Sequence, residues 1–259
     1  MNYFLAALQV EGLKVYKSKV IWVTAAAFTI APLMAGFFMF VLKDPELAKS
    51  SGLVGAKAQI AGEATWSSYL GLHAQMIAVG GIMVFGFVMS WIFGREYADK
   101  TLKDLIALPY SRGIIVIAKF IAAFITSFIL SVYITILGFL IGWMVGLPGW
   151  SIDVIADGLF VLFIVTILTI ILSTPVAFLA SFSRGYLAPL GLVVMTLVLS
   201  QIVATAGFGE YFPWAIPALY SGLIDGENII HFSGIVIILL TSLIGVISTH
   251  FWWHATDQY

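Results

Sequence analysis

Six stretches of this sequence, residues 20–42, 69–93, 120–145, 158–182, 187–208 and 229–251, contain no Asp, Glu, Lys or Arg and are almost wholly apolar. Each is long enough to cross a hydrocarbon core of ~30 Å, which takes about 20 helical residues. Inside a bilayer every backbone N–H and C=O must be satisfied by the chain itself, so a spanning segment is a helix or part of a closed barrel. Barrel strands alternate apolar and polar residues with a period of two, whereas these runs are continuously apolar. An all-α integral membrane protein with six transmembrane helices is expected. Pro32 and Pro175 fall inside two of the runs, where neighbouring helices can satisfy the carbonyls that a proline frees.

The rest of the chain is too short and too apolar for a separate soluble domain. Hydrophobic residues make up 61% and charged residues 10% of the sequence, against about 45–50% and about 25% in soluble domains. Residues 1–259 therefore read as a single transmembrane domain. There are no cysteines, which excludes disulfides, thiolate metal sites and cysteine nucleophiles. The first apolar run is too long for a signal-peptide core and lacks a small-x-small cleavage pattern after it, so it is expected to remain as the first span.

Orientation follows from the distribution of Lys and Arg between the loops. The N-terminal segment, the second and fourth loops and the C-terminal tail carry nine, and the other three loops carry three, all in the first loop (Lys43, Lys49 and Lys57). The nine-residue side is expected to be cytoplasmic, with both termini on it. Three non-spanning segments look structured. Residues 3–19 mix apolar positions with Glu11, Lys14 and Lys17, as in an amphipathic helix lying in the inner interface. Residues 207–228 carry Tyr211, Phe212, Pro213, Trp214, Pro217 and Tyr220, a composition suited to a short hairpin tucked into the outer interface before the sixth span.

Charge-free spans argue against proton pumps, ion-coupled carriers and voltage sensors, which place ionisable groups at membrane depth. The polar groups available there are His73, Gln75 and Gln201, which either line a substrate path or hydrogen-bond between helices. His250 and His254 stand one helical turn apart, but a third metal ligand is lacking nearby and the adjacent Phe251, Trp252 and Trp253 read as an interfacial aromatic belt. No metal site is expected. Gly138, Gly142 and Gly146 form a GxxxGxxxG ridge, which lets helices approach closely, either within the subunit or between subunits. Ser221-Gly222 faintly echoes an intramembrane serine nucleophile, but in a loop expected outside.

The second loop, residues 94–119, is too polar to span and too apolar for a plain linker. Thr101 with Asp104 three residues on is a short-acid variant of the capping box. Leu102, Leu105 and Ile106 then recur on one face, and Leu108-Pro109 stops the helix. Such an element rests on lipid or docks into a partner's groove. The pattern Arg95-Glu96-Tyr97, Lys100-Thr101-Leu102, Leu105 to Leu108-Pro109, Ser111-Arg112 and Lys119 resembles the first cytoplasmic loop of the ABC-2 type permeases. Residues 11–18 resemble that family's N-terminal interfacial helix and residues 211–221 its outer hairpin. The likeness runs end to end and is greatest to the bacitracin-export and lantibiotic-immunity permeases. Lys100 departs from it, standing where many relatives have Gly.

The resemblance implies the membrane half of an ATP-driven exporter in the cell membrane of a prokaryote. Two permeases, identical or paralogous, would pair, each docked on an ATP-binding subunit through a coupling helix. Its coupling segment would comprise Arg95, Glu96, Lys100, Thr101, Leu102, Lys103, Asp104, Leu105, Ile106, Leu108 and Pro109, with the apolar face as the docking surface. The sequence has no GxxxxGK[ST] phosphate loop. The chain is thus expected to be a transport subunit and no enzyme, binding no cofactor or nucleic acid, with ATP and Mg handled by the partner. An apolar or amphipathic cargo such as a peptide antibiotic fits charge-free spans. Sodium, copper-related or lipid export by the same architecture, or a six-helix intramembrane enzyme, are the alternatives.

Overall fold

The computed structural model describes residues 3–44, 63–106, 111–222 and 230–255. Among these, six helical segments are long and apolar enough to cross a membrane: Lys19–Lys43, Trp66–Ala98, Arg112–Val145, Ile152–Phe182, Leu187–Thr205 and Phe232–Ala255. Helix α1 (Tyr3–Tyr16) precedes them. The first span is α2 (Lys19–Phe28) followed by α3 (Ile30–Lys43), and the second is α4 (Trp66–Ala98). A one-turn helix, α5 (Leu102–Ile106), leads to the third span α6 (Arg112–Val145). The fourth span is α7 (Ile152–Ile171) plus α8 (Thr174–Phe182), and the fifth is α9 (Leu187–Thr205). Two 3-10 turns, Gly209–Tyr211 and Pro213–Ala215, and the short α10 (Ile216–Tyr220) precede the sixth span α11 (Phe232–Ala255).

Both breaks inside spans have a proline as their cause. Pro32 has no N–H for the carbonyl of Phe28, and the first span divides at Thr29. Pro175 likewise frees the carbonyl of Ile171, which takes hydrogen bonds from Thr174 Oγ1 (2.9 Å) and, across the bundle, Ser242 Oγ (3.1 Å). Gly245 lets α11 close on this break: a Cβ there would stand 2.6 Å from the Pro175 nitrogen.

The spans run alternately up and down. At one end Ser90 Oγ of α4 donates to the Tyr186 carbonyl at the start of α9 (2.7 Å). There too, Arg112 Nη1 of α6 donates to the Trp253 carbonyl of α11 (3.1 Å), and Trp253 Nε1 donates to Ser181 Oγ of α8 (2.9 Å). At the other end Lys43 Nζ caps the last carbonyls of α6, Val145 (2.7 Å) and Gly146 (3.0 Å). Gly146 ends α6 in the left-handed conformation, φ +68°, which glycine adopts without strain. The buried apolar cluster centres on α4, with Tyr69, Ala74, Ile77, Phe85, Met89 and Phe93 along its length.

Sequence and structure differ at the span ends. Helix α4 runs on past residue 93 to Ala98, carrying Arg95 and Glu96, and α6 begins at Arg112, so Lys119 stands two turns inside a spanning helix. The helices run past the charge-free runs, and two of these charges, Glu96 and Lys119, are matched inside the protein. Of the segment expected as an outer hairpin, residues 209–220 fold as the two 3-10 turns and α10, packed inward with Ala215, Ile216, Ala218 and Tyr220 buried, and residues 223–228 lie outside the described residues. Ser221 is buried as well, its hydroxyl donating to the Ala218 carbonyl at 2.7 Å.

Candidate functional site

The end of the bundle that holds the 94–119 connection also holds a cluster of four charges, three of them buried and the fourth, Lys14, half-buried. Glu11 comes from α1, Glu96 from the last turn of α4, and Lys119 from the second turn of α6; Lys14 completes the set from α1. A single apolar helix could not bury Lys119, since an isolated ammonium in a low-dielectric interior is prohibitively costly. Its side chain is 0% exposed, and its three donors are matched by Glu11 Oε2 (3.0 Å), Glu96 Oε1 (3.2 Å) and the Ile92 carbonyl (3.1 Å). Lys14 Nζ lies 2.7 Å from both Glu11 Oε1 and Glu96 Oε1. Burial works against the Lys14 ammonium, but Glu11 and Glu96 outweigh it and hold its pKa above the usual lysine range. Two cations and two anions make a neutral, mutually hydrogen-bonded set, the arrangement that tolerates burial.

The second oxygen of Glu96 carries the cluster into the connection. Thr101 Oγ1 donates to Glu96 Oε2 at 2.6 Å, so the residue that opens α5 is tied through one carboxylate to α1 and to α6. The hydroxyl expected to cap α5 thus donates its proton to Glu96. Between them the chain makes a Schellman turn: Thr101 N–H donates to the Glu96 carbonyl (3.0 Å) and Lys100 N–H to that of Tyr97 (3.3 Å). Lys100 sits at its left-handed position, φ +58°, where glycine is the usual residue. The departure from the ABC-2 pattern at this position is a lysine in a glycine's backbone conformation.

Helix α5 turns its apolar face inward. Leu102 and Leu105 are 5% and 8% exposed and join the main buried cluster. That face is therefore not the free docking surface expected from the sequence: the chain's own core covers it. Thr101, Lys103 and Asp104 are exposed. The remaining residues of the expected stop, Leu108 and Pro109, lie outside the described residues, as does the side chain of Ile106. Arg95 stacks its guanidinium on Trp91, 4.6 Å from the ring centroid.

Helix α1 packs against α6, with Ala7 and Glu11 facing inward while Tyr3, Leu5, Leu13 and Tyr16 are exposed. The polar stripe read from the sequence is thus split, with Glu11 at the protein side and Lys17 exposed. The glycine ridge meets α4 of the same chain: a Cβ on Gly138 would lie 2.8 Å from the His73 ring, and one on Gly142 2.7 Å from Trp66. Close packing within the chain is what these two glycines provide, and Gly146 ends the helix.

The three polar residues expected along a path do not converge. His73 is 2% exposed and closed in by Gly138, with neither ring nitrogen hydrogen-bonded among the described residues. Gln75 is half-buried and Gln201 lies on an exposed face of α9. The rings of His250 and His254 lie 4.5 Å apart, tilted by 45°, beside Gly113; no group of three potential metal ligands occurs among the described residues.

From the sequence, Glu11 and Lys14 belong to an amphipathic interfacial helix and Lys119 to the end of the second loop. A signal was present, because Lys119 follows the apolar run Ile114–Ala118 and so already stood inside a helix.

Comparison with known proteins agrees with this architecture. Residues 7–201 match the family profile described as ABC-2 family transporter protein. A bacitracin transport permease protein of Bacillus licheniformis is 25% identical over 170 residues, which cover 65% of this chain and 81% of that protein.

Proposed function

This chain belongs to the ABC-2 transporter family, and from that premise we propose that it is the membrane-spanning subunit of an ATP-driven exporter, working with a separate ATP-binding subunit. Its relationship to the bacitracin transport permease supports an amphipathic peptide antibiotic as the cargo class. The charge-free apolar runs within the spans agree with such a cargo. On this reading the end of the bundle holding α1, α5 and the buried cluster faces the cytoplasm, the chain sits in the cell membrane of a prokaryote, and two permeases form the transporter. His73 is closed in and Gln201 faces outward within one copy, so the path runs between two copies.

The observation that carries the proposal is the Thr101–Glu96–Lys119 linkage. A partner pressing on α5 moves Thr101, and Thr101 is bonded to the carboxylate that joins α4, α6 and α1. Leucines buried beneath α5 make it a rigid lever instead of a free adhesive patch, and the docking surface is its exposed side, Lys103 and Asp104 among others. The ATP and Mg sites belong to the partner.

Reversing both exposed charges, Lys103→Glu with Asp104→Lys, keeps the net charge and leaves the buried leucines alone. Co-purification of the ATP-binding subunit should fall at least tenfold while membrane levels stay normal. Wild-type recovery of that subunit would remove α5 from the docking surface.

A further inference from the structure

A polar cleft of about 590 Å³ opens beside the buried cluster, between α1, the end of α4 and the start of α9. Lys14, Lys17, Arg95 and Asp99 line it, with Trp91 and Tyr186 in its wall. Its charges do not cancel. Lys14 belongs to the neutral set with Glu11, Glu96 and Lys119, which leaves Lys17 and Arg95 against Asp99, one positive charge in excess. Arg95 cannot lose its proton, and its Nε and Nη1 are buried with no hydrogen-bond partner among the described residues. Buried donors of this kind ordinarily have a partner.

A second, apolar groove of about 500 Å³ shares Val20 with the cleft and runs between the first and second spans. Val23 and Ala27 form one side, and Met83, Val84 and Phe87 the other. Along α4, Met83 stands twelve residues before Arg95, ~18 Å at 1.5 Å per residue. That is about the ~15 Å depth of one leaflet's hydrocarbon. A cationic pocket at the level of the headgroups thus continues into an apolar channel reaching towards the bilayer centre.

We propose that the cleft and groove together bind one anionic glycerophospholipid carrying a single phosphodiester charge, the phosphate on Arg95 and Lys17 and an acyl chain between the first two spans. Guanidinium groups are well suited to phosphate oxygens, and basic pockets between spanning helices are established lipid headgroup sites. Asp99 in the same cleft disfavours a doubly charged headgroup. Both faces of a bilayer carry headgroups, so the site does not depend on which end is cytoplasmic, nor on the ATP-binding subunit.

Native mass spectrometry of the full chain in mild detergent, titrated with phosphatidylglycerol or phosphatidylcholine, tests this directly. Phosphatidylglycerol should bind at least tenfold more tightly. Arg95→Gln with Lys17→Gln should bring it down to the phosphatidylcholine level, and the exposed Lys17→Gln alone, which leaves the fold untouched, should weaken it several-fold. Val84→Trp, filling the groove, should weaken binding of both lipids. Millimolar inorganic phosphate should not displace the lipid. Equal binding of the two lipids, or an undiminished preference in the charge variants, would overturn the site. Displacement by inorganic phosphate, with no effect of Val84→Trp, would make it a site for free phosphate and overturn the lipid assignment.

Discussion

Replacing Lys119 by Met, which keeps the volume of the side chain and removes its charge, should cost this protein more than almost any other single change. The Lys119 ammonium makes three contacts, to Glu11, Glu96 and the Ile92 carbonyl. After substitution two carboxylates, 4% and 3% exposed, face Lys14 alone, so one negative charge is left uncompensated in the interior. Breaking a buried ion pair from one side costs about 3–5 kcal/mol. At about 2–4 °C per kcal/mol for a chain of this size, Lys119→Met should lower the unfolding temperature by about 6–20 °C in mild detergent. Adding Glu11→Gln removes the excess charge, and the double variant should regain more than half of the deficit, a coupling expected of residues in one network. A Lys119→Met protein within about 1 kcal/mol of wild type, or a double variant equal to the sum of the singles, would refute the account of the cluster.

Lys100→Gly should stabilise the protein by about 1 kcal/mol, because lysine pays for a left-handed conformation that glycine adopts freely; equilibrium unfolding reads this as a higher midpoint. Gly245→Val places a branched side chain against the Thr174–Pro175 backbone and should cost about 1–3 kcal/mol in the same assay. Gly142→Leu collides with Trp66 of the same chain, so it should lower thermal stability without abolishing self-association in mild detergent. For orientation, a cysteine at exposed Ile152 should react with an impermeant thiol reagent added to intact cells and a cysteine at Lys103 should not; the reverse pattern would invert the topology.

The six spans were legible because long apolar runs without charge admit little besides helices in lipid. Their ends were not. Arg95, Glu96 and Lys119 look like loop residues one at a time, and only the tertiary structure brings Glu11 and Lys14 to them from α1. Periodicity identified the apolar face of residues 102–106 but could not say what covers it; Leu102 and Leu105 are covered by the chain's own core. The glycine ridge announced a close approach without naming its partner, which is α4 through His73 and Trp66. Lys100 stood out as a departure from its family pattern, and the backbone shows why that position favours glycine. In each case the sequence carries the local chemistry, and the missing part is which distant residue meets it.

The central claim, an exporter subunit driven by a separate ATPase through the Thr101–Glu96 bond, is tested most directly by transport in sealed vesicles. The chain and its ATP-binding subunit, together in inverted membrane vesicles, should accumulate a bacitracin-class peptide only when ATP and Mg are present and both chains are there. Thr101→Val removes the 2.6 Å hydrogen bond to Glu96 while keeping the shape of the side chain. This variant should retain the bound ATPase yet lose most of the ATP-dependent uptake. Uptake by Thr101→Val at the wild-type rate would contradict coupling through this bond, and uptake that persists without ATP or without the second chain would contradict the exporter itself.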